Sequence, residues 1–249
     1  RGFDVNYLNP IIFYRAIEFE TGQGAGNALL GASAKYKWND NVNIYSQFIL
    51  DEFSLGDVKA GEKSWKNKFG YQLGVKYFNA FKVDNLLLQF EYNRVRPYTY
   101  SHNTIVLNYA HNNQSIAHLW GANFSEAIII GRYRYKRWFG DAKFIFGTRG
   151  LDFNNGADNF SYGGDIYRSE NDRPFQTGVE VGQGNKVTTF NGNLQAGYLI
   201  NPASNLKIFT DISVRNFDPE ATTTATFENN TLWINFGLRT DLFNWYFDN

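Results

Sequence analysis

The sequence predicts an all-β protein, a transmembrane antiparallel β-barrel of the outer membrane. Three observations carry this expectation. Ten segments alternate apolar and polar residues with a period of two, as strands do when their two faces meet different surroundings. The connections between them are alternately short and long, the pattern of barrels with short periplasmic turns and long extracellular loops. Aromatic residues make up 18% of the chain although its mean hydropathy is negative, and a barrel combines the two because every second strand residue faces a polar lumen.

Composition removes other classes. No segment approaches the ~20 consecutive apolar residues of a spanning helix, so a helical membrane protein is excluded. Balanced charge, 24 basic against 24 acidic residues, argues against nucleic acid as a partner. The absence of cysteine fits an envelope location without requiring one. The chain starts at Arg1 with neither an initiator Met nor a signal peptide, so it reads as mature or partial.

Taken in order, the strands are expected at about 10–19, 27–38, 42–53, 65–78, 86–96, 124–138, 141–151, 188–200, 206–217 and 231–243. The fourth is the clearest. Trp65, Asn67, Phe69, Tyr71, Leu73, Val75 and Tyr77 share one face, opposite Lys66, Lys68, Gly70, Gln72, Gly74 and Lys76. The second sets Ala28, Leu30, Ala32, Ala34, Tyr36 and Trp38 against Gly31, Ser33, Lys35 and Lys37. The fifth opposes Leu86, Leu88, Phe90 and Tyr92 to Gln89, Glu91 and Asn93, and the eighth opposes Phe190, Leu194, Ala196 and Tyr198 to Asn191, Asn193 and Gln195. The ninth repeats the scheme with Leu206, Ile208, Ile212 and Val214 against Lys207, Asp211, Ser213 and Arg215. Leu29, Leu87, Leu199 and Phe209 break it by falling on polar faces.

A soluble antiparallel sandwich would also alternate. Against it stand the charges on many polar faces, among them Lys35, Arg132, Arg134, Lys143, Arg149 and Asp211, which suit a wet interior. Aromatics near strand ends, Trp38, Trp65, Tyr77, Tyr92, Tyr135 and Tyr198, sit where interface girdles belong. Short turns are expected at 39–41, 80–85, Phe139-Gly140 and 201–205, and long loops at 54–64, 97–123, 152–187 and 218–230. This order puts the long loops outside the cell and the C-terminus in the periplasm. The last strand, with Leu232, Ile234, Phe236, Leu238 and Leu242 on one face, would be an aggregation-prone edge unless closed or covered.

The stretch from Glu91 to Phe124, with EYNRVRPYTYSHN and LNYAHNNQSIAHLWGANF, resembles the signature region of the Wzi-like capsule-assembly family of outer-membrane proteins. YLNPIIFYRAIEF, QFILDEF, KFGYQLGVKYF and the ending INFGLRTDLFNWYFDN also resemble it, in particular its gliding-motility-associated, RemB-like members. The resemblance implies a surface barrel that attaches or assembles capsular polysaccharide, or alternatively a non-enzymatic subunit of a gliding-motility or secretion complex. Members of that family are longer, which makes this chain the C-terminal part of a larger barrel. The implied partners are outer-membrane lipids, surface polysaccharide and other outer-membrane or lipoprotein subunits.

Candidate glycan-binding residues come from the 97–123 loop: Tyr98, Tyr100, His102, Asn103, His111, Asn112, Gln114, His118, Trp120 and Asn123. Aromatic rings stack on the apolar faces of sugars, while Asn, Gln and His both donate to and accept from hydroxyls. Two other readings stay open for this loop, internal structural pairing and metal binding by its histidines, whose spacing matches no common ligand motif. In the 152–186 loop Asp152, Asn154, Asn155 and Asp158 offer oxygen ligands for calcium but complete no EF-hand, and a turn-rich loop accounts for them. No nucleophile elbow, paired-acid motif or metalloprotease motif is present, so no enzyme activity and no cofactor is expected.

Overall fold

The computed structural model describes residues 27–153, 155–222 and 229–240. Nine strands form a single antiparallel sheet: β1 (Leu30–Lys37), β2 (Val42–Glu52), β3 (Lys68–Phe78), β4 (Leu86–Val95), β7 (Phe124–Tyr135), β8 (Trp138–Leu151), β9 (Asn185–Asn201), β10 (Leu206–Pro219) and β11 (Asn230–Arg239). A two-stranded ribbon, β5 (Ala110–His111) with β6 (Gln114–Ser115), interrupts the series between β4 and β7. The spatial order β1-β2-β3-β4-β7-β8-β9-β10-β11 is a meander in which each strand pairs with the next long strand in sequence. The protein is therefore all-β. Among the described residues β1 and β11 are the two edges of an open sheet. The expected strand at 10–19, and the expected strand residues beyond Thr240, lie outside the described residues.

The register sorts side chains into two faces. One row runs Tyr36, Ile44, Val75, Phe90, Ile129, Phe144, Gly192, Val214, Leu232, and the next runs Ala34, Ser46, Leu73, Tyr92, Ala127, Phe146, Phe190. These belong to an apolar face. Its charged positions, Arg94, Lys186 and Asp218, all stand at the end that carries the long connections. The opposite, polar face holds rows such as Ser33, Gln47, Gln72, Asn93, Glu126, Gly147, Thr189. Leu87, Leu199 and Phe209 do project onto this polar face, as the sequence indicates.

Exposure is the reverse of what a soluble sheet shows. Leu73 is 52% exposed, Phe236 82% and Leu238 69%, all on the apolar face. Fully buried residues such as Lys68, Phe124, Asn123 and Val187 instead collect on the polar face and in the loops over its long-loop end. The protein folds its loops over the polar side and leaves the greasy one bare.

Two local expectations are corrected, and two of the long loops hold elements of their own. The β7–β8 turn is Lys136–Arg137, not Phe139-Gly140: Tyr135 pairs with Trp138, and Lys136 takes φ 53°. The ring of Phe139 then fits over Gly197, where a Cβ would come within 2.4 Å of it; Gly140 is a strand residue, not a turn. Strand β3 begins at Lys68, so Trp65 is not in a girdle but is buried with Tyr98 and Val179 beneath the loops. The 54–64 loop contains helix α1 (Leu55–Ala60), capped by the Ser54 hydroxyl, which accepts from Asp57 N–H, and closed by Gly61 at φ 71°. The 97–123 loop contains the β5–β6 ribbon, whose turn residues Asn112 and Asn113 both adopt positive φ. Asparagine tolerates that region better than other side chains with a Cβ.

Candidate functional site

The long loops do not project away from the sheet. The 97–123 and 152–184 segments dock on the long-loop end of the polar face around a small core of Val95, Tyr100, Ala122, Phe124 and Ile166. Because those segments are rich in backbone polar groups, the docking depends on side chains that satisfy them.

Asn123 does most of this. It is fully buried, takes φ 57°, and its Nδ2 donates to the carbonyls of Gly150 (3.1 Å), Tyr162 (3.1 Å) and Gln183 (3.0 Å), while its Oδ1 accepts from Gly182 N–H at 2.7 Å. One side chain thus joins the end of β8 to both limbs of the 152–184 loop. Replacing it by Ala leaves several buried backbone groups without partners, at ~1–3 kcal/mol for each group left bare. An Asn123→Ala variant is expected to lose about 3 kcal/mol in chemical denaturation, and a loss under about 1 kcal/mol would show that water replaces the amide freely.

A second anchor is ionic. Lys68, wholly buried, is paired with Glu170 and with Glu52 (3.0 Å) and donates to Ser101 O at 3.0 Å. Its Nζ lies 5.1 Å from the Trp65 ring, and the Arg173 guanidinium stands 3.8 Å from the same ring. Asp152, buried in the second loop, accepts from Tyr162 N–H (2.7 Å) and from Arg168 (3.1 Å); burial raises its carboxyl above the ordinary range while these partners pull it down. Burial likewise pushes the Tyr98 hydroxyl up, and that hydroxyl donates to Ser161 O at 2.9 Å.

The third feature is a polar ladder along the sheet. Tyr45 donates to Glu91 at 2.5 Å; Gln72 and Asn93 donate to the other Glu91 oxygen at 3.0 Å each; Asn93 also donates to Glu126 at 2.8 Å; and His118 Nε2 stands 2.7 Å from Glu126. Trp120 N–H donates to His118 Nδ1 at 3.1 Å, which puts the ring proton on Nε2, facing Glu126. The histidine also stacks on Phe124 at 4.4 Å. Trp120 lies over Gly147, where a Cβ would come within 2.4 Å of its ring, and 5.2 Å from the Arg149 guanidinium.

Between this ladder and the ribbon lies a cavity of about 550 Å³, lined by Gln47, Gln72, Asn93, Tyr100, Tyr109 and His118 with apolar residues including Ile49, Ile116 and Phe124. None of its lining residues is Asp, Glu, Lys or Arg. Neutral amides and aromatic rings around an open cavity can bind a hydroxyl-rich, uncharged ligand through paired hydrogen bonds and stacking.

The ten sequence candidates separate accordingly. Tyr98, Tyr100 and Asn123 are buried, and the first and last are bonded internally. Tyr100 N–H donates to Asp51 at 2.8 Å; His102 Nε2 approaches Asp51 to 3.3 Å without hydrogen-bond alignment. His118 and Tyr100 line the cavity, and Trp120 supports His118 from behind. Asn103, His111, Asn112 and Gln114 are exposed, three of them on the β5–β6 ribbon. Among the described residues no three His, Asp or Glu side chains converge to hold a metal. Of the oxygen set in the second loop, Asn155 caps a turn by accepting from Ala157 and Asp158 N–H, and Asp158 accepts from Phe160 N–H and the Tyr162 hydroxyl; Asn154 lies outside the described residues. Gln47, Gln72, Asn93 and Tyr109 line the cavity too, and sequence reasoning missed them as a set. They come from four separate segments, though alternation marks Gln72 and Asn93 as polar-face residues.

Comparison of the chain with known protein families, with curated proteins and with solved structures finds no match in any of the three.

Proposed function

We propose that the sheet is the wall of an outer-membrane β-barrel whose loops dock on its lumenal side, and that the protein takes part in attaching or assembling surface polysaccharide. The observation that carries this reading is the sidedness of exposure. Large apolar side chains are bare across one face, and that face carries charge only at the long-loop end. In water such a face is an aggregation hazard; against lipid it is what a spanning strand needs. Strands of 8–17 residues reach or exceed the ~9–11 of a tilted membrane strand in all but the edge strand β1. The long-loop end then faces the cell exterior, and the uncharged, amide- and aromatic-lined cavity is where a saccharide would be held.

Tyr109 tests the polysaccharide half. It lines the cavity and stacks on Tyr100 at 5.8 Å. In detergent, purified protein is expected to retain surface-glycan fragments from its own cells, and Tyr109→Ala to weaken retention roughly tenfold, about 1.4 kcal/mol of stacking and contact. Absence of glycan binding by the unaltered protein sinks this reading.

A second reading, a non-enzymatic subunit of a gliding-motility or secretion complex, is favoured by one observation. Apolar side chains also lie open on the loops themselves: Leu119 at 93%, Val106 at 65% and Ile105 at 57%. These suit a protein surface better than a sugar. Stoichiometric partners recovered after crosslinking in intact cells and lost in a Leu119→Asp variant would favour it.

A further inference from the structure

Three aromatic side chains of the polar face share one arrangement. Tyr45 covers Gly74, Phe139 covers Gly197 and Phe209 covers Gly237, each a glycine directly across in the neighbouring strand, where a Cβ would run into the ring. The glycine makes room and the ring fills it. Trp233 of β11 departs from this pattern. Its partner across the strands is Ser213, no glycine lies beneath it, and among the described residues its ring stacks on no other ring and meets no cation. It is 61% exposed. The indole N–H donates to the side-chain oxygen of Asn235, two residues along on the same face, which fixes the ring while most of its surface stays bare.

Beside the indole is a cavity of about 310 Å³ whose lining includes Lys143, Asn191, Asn193, Ser213 and Asn235. The register gives its depth. The row Lys143, Asn193, Ser213, Trp233 crosses the middle of β9 and β10 and continues the other way through Ile130 to Gln89. Gln89 is four residues along β4 from Asn93, which lines the first cavity. At ~3.3 Å per strand residue the second cavity lies about 13 Å further from the long-loop end. Hydrogen-bonding capacity around the indole is partly unused. Asn193 donates to Asp211 at 2.8 Å and to Ser213 at 2.9 Å, which leaves its oxygen as an acceptor. Asn235 accepts from the indole, which leaves its amide protons as donors. The Asn191 side chain makes no hydrogen bond among the described residues and offers both. Lys143 adds an ammonium donor. A bare indole bordered by such groups suits a sugar ring, whose C–H face stacks on the aromatic while its hydroxyls reach the amides. An acyl chain would leave those amides without partners.

We infer that Trp233, with Asn191, Asn193 and Asn235, forms a second saccharide site on the polar face, deeper than the cavity under the loops. The inference rests on the polysaccharide reading proposed above and adds that one glycan chain is held at two separate places. Once one segment of a chain is bound, the next is presented to the other site at high local concentration. A chain long enough to span both then binds more tightly than a short one.

The test is a titration of the full chain in detergent with short oligosaccharides cut from the surface polysaccharide of its own cells, the bound fragments being counted by native mass spectrometry. The unaltered protein is expected to show two binding steps. Trp233→Ala should weaken one of them roughly tenfold and leave the other, and Tyr109→Ala should do the reverse. Trp233→Phe, which keeps a stacking ring, should weaken the same step far less. Asn191→Ala leaves the indole in place and should weaken that step too, an independent reading should Trp233→Ala fail to fold. Two steps that both ignore Trp233→Ala and Asn191→Ala overturn the second site, as does a single step sensitive only to Tyr109→Ala. A single step sensitive only to Trp233→Ala upholds this site and overturns the cavity under the loops as the place of the sugar. No binding at all by the unaltered protein sinks the polysaccharide reading, and this inference with it.

Discussion

Leu73→Arg is expected to cost about 2–4 kcal/mol when the protein is unfolded from lipid vesicles or detergent. Leu73 stands at the middle of β3, between Ser46 and Tyr92 on the apolar face, and is already 52% exposed. In a soluble sheet an exposed Leu→Arg change stays within about 0.5 kcal/mol, so the size of the loss separates lipid from water as the medium on that face. Val75→Arg, on the same face, should behave alike. Gln72→Arg is the control: it lies on the opposite face, 3.0 Å from Glu91, and an arginine there can still donate to that carboxylate. Equal losses at Leu73 and Gln72, or two negligible ones, would defeat the assignment of faces to lipid and lumen.

Lys68→Met should be as damaging for a different reason. The methionine matches the length of the lysine stem but leaves Glu170 and Glu52 facing each other beneath the loops without their cation. Removing one member of a buried ion cluster typically costs about 3–5 kcal/mol, because the remaining charge is stranded. Trp65, 5.1 Å from the ammonium, makes its fluorescence a local reporter of the loss. Adding Glu170→Gln should restore part of the stability, since it removes the stranded charge. A single variant within about 1 kcal/mol of the parent would mean that water already reaches the cluster.

The strands were legible because alternation is a property of each segment taken alone. Phe69 to Tyr77 declares two faces without help from any neighbour. Ends and turns were less legible. Gly140 draws the β7–β8 turn three residues too far along, because a glycine signals a turn locally and only the register reveals that Gly197 accommodates Phe139. Helix α1 has a readable signal in Ser54, Asp57 and Gly61, within a segment that the alternation of loop lengths marks only as a long loop. Within the candidate site, the loop's residue types suggested sugar contact, but burial redistributes them. Tyr98 and Asn123 hold the loops, while the cavity is completed by Gln47, Gln72, Asn93 and Tyr109 from distant segments. Convergence of that kind depends on sheet order, which no single stretch of sequence encodes.

The meander has a consequence for how the molecule comes to be built. Every long strand hydrogen-bonds to the long strand that follows it in the chain, so strand pairing can proceed as a zipper from any formed hairpin and each step closes only a short span of chain. The β4–β7 and β8–β9 steps are the exceptions, since the whole 97–123 segment must be gathered before Val95 can meet Phe124 and the whole 152–184 segment before Leu151 can meet Asn185. The 97–123 segment also binds to the sheet on both sides of its joint, through Asp51 behind it and Gly150 ahead. The slow steps in completing the sheet are thereby tied to seating the docked loops, and a chain whose 97–123 segment is damaged should stall with β1–β4 formed and an apolar edge exposed to other chains.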